Sequence, residues 1–136
     1  MRVAVRYYSK TGNTKKLADT VAKEAGVQAL TVDEPLKEDI DVLFLASSVY
    51  GSGVSNDVKK FIGNIDVKVG EIVNISSAAI IESTYAQVKK IAEKNGLKMS
   101  EQEYHCRGKF TLMHKGRPNA DDLQNLSKFT KSYLNK

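Results

Sequence analysis

Five apolar runs in this chain alternate with segments whose apolar residues recur at helical spacing, and that alternation restricts the fold more than any other feature. The run Val3–Tyr8 lies in a strand expected over Arg2–Tyr8. Leu17, Ala18, Val21 and Ala25 then share one face of a helix expected from about Asn13 to Ala25, with Gly26 placed to end it. Val27–Val32 reads as a second strand. Only Asp33–Ile40 separate it from the run Val42–Ala46, so this crossover holds no more than a short helical turn around Pro35. The third strand, Asp41–Ser47, is almost continuously apolar, as a strand covered on both faces must be. Further along, a helix is expected over Asn56–Gly63, a strand over Gly70–Ser76, a helix over Ser83–Asn95 stopped by Gly96, and a strand over Lys98–Cys106. Asn119 caps a last helix that reaches Leu134, with Asp121 and Asp122 in its first turn where carboxylates complement the helix dipole.

Strands joined by helical crossovers require a parallel sheet with helices on both faces, so the expected class is α/β and doubly wound. With strand order 2-1-3-4-5, a ligand belongs beyond the carboxyl ends of strands one and three, where the order reverses. The loops at those two ends are both unusual. Ser9-Lys10-Thr11-Gly12-Asn13-Thr14 links the first strand directly to a helix. Its hydroxyls, its Gly and the backbone N–H groups at the positive end of a helix dipole form a nest for an anion. The spacing is not that of a P-loop, and the glycine triplet of a dinucleotide site is missing. The plain alternative is an N-capped β–α turn that binds nothing.

The second loop reads Ser47-Ser48-Val49-Tyr50-Gly51-Ser52-Gly53-Val54-Ser55. One large aromatic between small residues suits a flat ligand: Tyr50 can stack on a ring, and Gly51 and Gly53 let backbone approach its edge. A flexible Gly-Ser turn with Tyr50 on the core is the competing reading.

The first loop resembles the flavodoxin phosphate loop, written Ser or Thr, a variable residue, Thr-Gly-Asn, then Thr or Ser; Lys10 stands in the variable place. Tyr104-His105-Cys106-Arg107-Gly108-Lys109-Phe110 and Gly116-Arg117-Pro118-Asn119 look like the C-terminal part of short flavodoxin-family proteins. The resemblance implies one flavodoxin-like domain over residues 1–136, non-covalent FMN, and transfer of one or two electrons. It assigns FMN binding to Ser9, Lys10, Thr11, Gly12, Asn13 and Thr14; to Ser47, Ser48, Val49, Tyr50, Gly51, Ser52 and Gly53; and to Ser76, Ser77 and Ala78. In that family an aromatic at the place of Tyr50 stacks on the isoalloxazine, and a Gly at the place of Gly51 turns its carbonyl to accept a hydrogen bond from the reduced ring. FMN fits better than FAD or NAD because the nest suits a terminal monophosphate and there is no second phosphate loop. The chain departs from the pattern after strand four, where Ser76-Ser77-Ala78-Ala79-Ile80-Ile81-Glu82 carries no second aromatic. The other flavin face is then covered by residues 78–80, closed by Phe110–Arg117, or left open.

The 21 Lys and Arg against 16 Asp and Glu raise the possibility of nucleic acid, but the lysines fall on polar helix faces with no interleaved aromatic platform. A solvated surface is expected, and a redox partner with an acidic docking surface. No apolar run approaches the ~20 residues of a membrane helix, and Met1 leads straight into a strand, so the expectation is a cytoplasmic protein. Its one cysteine, Cys106, is expected to be a packed thiol and excludes an internal disulfide or a multi-cysteine metal site. Arg6, in a central strand, needs a carboxylate partner or an outlet at the sheet end. Three functions compete: an FMN electron carrier, an FMN-dependent NAD(P)H:quinone-type reductase, for which the chain lacks the usual insertions, and a flavodoxin fold that has lost its flavin. A phosphoacceptor receiver is excluded, because Ser9 and Ser47 stand where it needs acids.

Overall fold

The structure is a computed structural model, and it describes residues 1–10, 12–48, 54–78, 83–107 and 116–135. Five strands form one parallel sheet in the order β2-β1-β3-β4-β5: β1 (Val3–Tyr7), β2 (Ala29–Thr31), β3 (Ile40–Ser48), β4 (Val69–Ala78) and β5 (Met99–Arg107). Four helices connect or follow them: α1 (Asn13–Ala25), α2 (Asn56–Gly63), α3 (Tyr85–Lys94) and α4 (Ala120–Leu134). Class, strand order and helix placement agree with the sequence pattern. The differences are at ends. β2 keeps only three residues, and α3 starts at Tyr85 rather than Ser83 because Thr84 stands at its N-cap.

Side chains of β3 alternate between two cores, as strand geometry demands. Val42, Phe44 and Ala46 join Leu17, Val21, Leu126 and Tyr133 beneath α1 and α4. Leu43 and Leu45 join Val58, Ile62, Val88 and Ala92 beneath α2 and α3. At the amino edge, a Cβ on Gly70 would lie 2.3 Å from the Asp41 carbonyl oxygen, so only glycine permits that approach of β4 to β3.

Between β2 and β3 the crossover contains no helix; a turn closes with Glu34 N–H donating to the Thr31 carbonyl at 3.0 Å. Arg6 holds this segment against the sheet; of its two expected solutions, a carboxylate partner or an outlet at the sheet end, the first is not used by its hydrogen bonds among the described residues. Its guanidinium donates to three backbone carbonyls, Glu34 at 2.8 Å, Val5 at 3.1 Å and Pro35 at 3.3 Å. Carbonyl dipoles engage three of the five N–H donors of the buried cation; burial lowers its pKa and the nearby Glu34 charge partly offsets this. A cleft of about 290 Å³ lies between this helix-free crossover and α2, floored by Val32, Leu36, Phe61 and Ile65. None of the described residues predicted to bind ligand lines it.

Candidate ligand site at the carboxyl edge

The predicted site begins where β1 ends. Ser9 Oγ accepts a hydrogen bond from Gly12 N–H at 2.8 Å, which closes the loop into a tight turn. Gly12 is the N-cap of α1 with φ +89°, a left-handed conformation that glycine adopts without strain. The cap makes no side-chain hydrogen bond, and the first turn of α1 carries no acid. Two other helix starts differ, since Ser55 caps α2 with Asp57 behind it and Asn119 with Asp122 forms a capping box on α4, while α3 resembles α1 in lacking a side-chain cap bond and a first-turn acid. The N-cap of α1, a glycine, thus supplies no side-chain acceptor of its own.

Two hydroxyls at this edge are buried and have no hydrogen-bond partner, Thr14 Oγ1 in the first turn of α1 and Ser48 Oγ at the end of β3. Ser48 is two residues beyond Ala46 and therefore faces the same side of the sheet as Ala46 and α1. A buried hydroxyl left unsatisfied costs about 1–3 kcal/mol. Such groups, beside a helix start whose N-cap is a glycine, fit an anion carrying several acceptor oxygens.

Ser47 points to the opposite face and is engaged within the protein. Its Oγ lies 3.0 Å from Thr84 Oγ1, which also accepts from Asn74 Nδ2 at 3.0 Å. Ser76 Oγ accepts from Thr84 N–H at 3.3 Å and lies 3.3 Å from Ser83 Oγ. Ser83 Oγ donates to Glu103 Oε1 at 2.6 Å, and Glu103 Oε2 is 2.7 Å from His105 Nδ1. Ser77 and Ala78 are buried at the end of β4. The sequence reading missed Thr84, Asn74 and Glu103; an Asn between Val73 and Ile75 in a buried strand was the one available signal, since a polar side chain there must find partners.

Of the predicted binding residues, Ser9, Gly12 and Thr14 gather at the end of β1, and Ser47, Ser48, Ser76, Ser77 and Ala78 lie at the ends of the paired strands β3 and β4. Lys10 is exposed beside Ser9, and Asn13 opens α1. Thr11, Val49, Tyr50, Gly51, Ser52 and Gly53 lie outside the described residues, as do residues 79–80 and 110–115 of the two segments named as alternative covers for a second ligand face. Among the described residues no group of three or more His, Cys, Asp or Glu is arranged to hold a metal ion, and no helix is long and apolar enough to cross a membrane.

A family model described as a flavodoxin domain matches residues 4–115. Solved structures agree in fold over nearly the whole chain. A flavodoxin from the domain Archaea superposes with a TM-score of 0.79 at 16% identity, covering 99% of this chain and 97% of that one. A short-chain flavodoxin associated with a non-canonical PDU bacterial microcompartment gives 0.70 at 16% identity, over 99% and 98% of the two chains. Oxidised Flavodoxin 2 from Bacillus cereus gives 0.70 at 15% identity, over 99% of each. No curated protein matches the sequence.

Proposed function

Because this chain belongs to the flavodoxin family, we propose that it binds FMN non-covalently at the carboxyl edge of the sheet and carries electrons between redox proteins. The family implies a flavin; the choice of FMN rests on the phosphate end of the site. The observation that carries it is the pair of buried, unpartnered hydroxyls, Thr14 Oγ1 and Ser48 Oγ, beside the start of α1, whose glycine N-cap offers no side-chain acceptor. A terminal phosphate answers that arrangement, because it accepts several hydrogen bonds and its charge is favoured by the α1 dipole.

Bound FMN supplies a centre that accepts one or two electrons. The chain's part is to hold and orient it. Ser9 fixes the turn, Gly12 allows it, and Thr11, Asn13 and Thr14 with the adjacent amides bind the phosphate. Tyr50 stacks on the ring, with Gly51 and the segments 47–53 and 76–78 along its edge. Lys10 and the formal net charge of +5 favour a partner with an acidic docking surface, whose binding weakens as salt rises.

Addition of FMN to the purified protein tests the reading. Flavin absorption bands shifted from those of free FMN are expected, with no NAD(P)H consumption by the holoprotein alone. Unshifted bands would exclude the flavin site, and NAD(P)H turnover would make the protein a reductase.

A further inference from the structure

Ser47 and Val54, which bracket the positions proposed to contact the ring, are both hydrogen-bonded to the start of one helix. On its N-terminal side, Ser47 Oγ is 3.0 Å from Thr84 Oγ1. On its C-terminal side, Val54 N–H donates to Gln87 Oε1 at 2.9 Å. Thr84 is the N-cap of α3, and Gln87 stands three residues on, on the same helix face one turn away. Six residues, 48–53, lie between the two anchored positions.

The anchor itself is rigidly mounted. Thr84 is fully buried, its hydroxyl accepts from Asn74 Nδ2, its N–H donates to Ser76, and its carbonyl accepts from Val88 N–H. Ser83 ties the same point to β5 through Glu103, whose other oxygen meets His105. Hydrogen bonds therefore run from β4 and β5 through the start of α3 to both ends of the segment after β3. The apolar face of the same helix is seated in the core through Val88 and Ala92.

We propose that Thr84 and Gln87 are positioning residues for the flavin ring: they hold Ser47 and Val54, the described residues that bracket the positions to which ring contact is assigned. This rests on the FMN-binding reading above. The clamp acts on the ring and not on the phosphate, which is held at the end of β1. Its signature is consequently a loss of affinity shared by FMN and riboflavin.

Dissociation constants for FMN and riboflavin, with far-UV circular dichroism as a fold check, test it in wild type, Thr84→Val, Thr84→Ser, Gln87→Ala and Gln87→Glu. Val replaces the Thr hydroxyl with a methyl, and Ala removes the acceptor of Val54 N–H; each is expected to weaken both ligands by the same factor, about tenfold for a bond of ordinary strength. Ser retains the hydroxyl and Glu retains an acceptor oxygen, so both are expected to bind as wild type does. The double variant Thr84→Val with Gln87→Ala should lose less than the product of the single losses, since both act through one segment. Unchanged affinities in the Val and Ala variants, a loss confined to FMN, or failure of Ser and Glu to preserve binding would overturn the clamp. Should Thr84→Val not fold, the Gln87 pair decides alone. A wild type that binds neither flavin overturns the flavin reading and this inference together, whereas a wild type that binds with indifferent variants overturns the clamp only.

Discussion

Arg117 clasps Asp122 through two parallel hydrogen bonds, Nε to Oδ2 at 2.6 Å and Nη2 to Oδ1 at 2.7 Å. The same carboxylate accepts from Asn119 N–H at 2.8 Å and so completes the capping box of α4. Burial pushes the Asp122 carboxyl up, but the hydrogen bonds from Arg117 and Asn119 and the Arg charge outweigh it and hold the group below its ordinary value.

An acid held low in the fold stabilises it above the unfolded-chain value near 3.8, and that stabilisation is lost as pH falls through the lower folded value. Urea midpoints of the wild type should therefore fall from about pH 5 downward, and Asp122→Asn should flatten that acid limb. Arg117→Ala should cost about 1–3 kcal/mol at pH 7, where it leaves the carboxylate short of donors. Parallel acid limbs for wild type and Asp122→Asn would show that other carboxylates govern acid unfolding.

Cys106 packs in the core under α1 and α4, and burial pushes its thiol up to about 12, with Asp122 adding to the rise and Arg117 opposing it. The reactive species is the thiolate, which is then scarce at pH 8. Iodoacetamide at that pH should leave the native protein unmodified and alkylate it in urea. Rapid native labelling would mean that Cys106 is reached from solvent.

Thr14→Ala and Asn13→Ala should weaken FMN by about 1.5–3 kcal/mol for each lost bond to a charged oxygen. Riboflavin, which lacks the phosphate, should be weakened far less. Titration of both ligands separates the outcomes: equal losses would place the phosphate elsewhere.

Tyr50→Ala should cost about 1–3 kcal/mol for FMN and for riboflavin alike, and Tyr50→Phe much less, because a ring and not a hydroxyl does the stacking. Bound-flavin fluorescence should rise in the Ala variant. An unaltered fluorescence yield with FMN bound would remove Tyr50 from the ring face.

The order of strands and helices was legible because each element carries a local pattern or stop signal: the continuous apolar run of β3, the 3.6-residue face of α1, glycines at 26 and 96, Asn119 before Asp122. The parallel sheet and its crevice follow from those elements by connection rules that need no side-chain detail. The turn at the end of β1 was legible for the same reason, since Ser9, Gly12 and Thr14 are neighbours in the chain and their geometry is nearly local. Tertiary structure alone decided the rest. Arg6 meets carbonyls 28 and 29 residues away, Ser47 meets Thr84 across 37 positions, and Val54 meets Gln87 across 33. Polar partners of this kind have no period and no fixed spacing. Any hydroxyl or amide that the strand order brings within hydrogen-bonding distance will serve, so the choice is made only when β3, β4 and the start of α3 have packed.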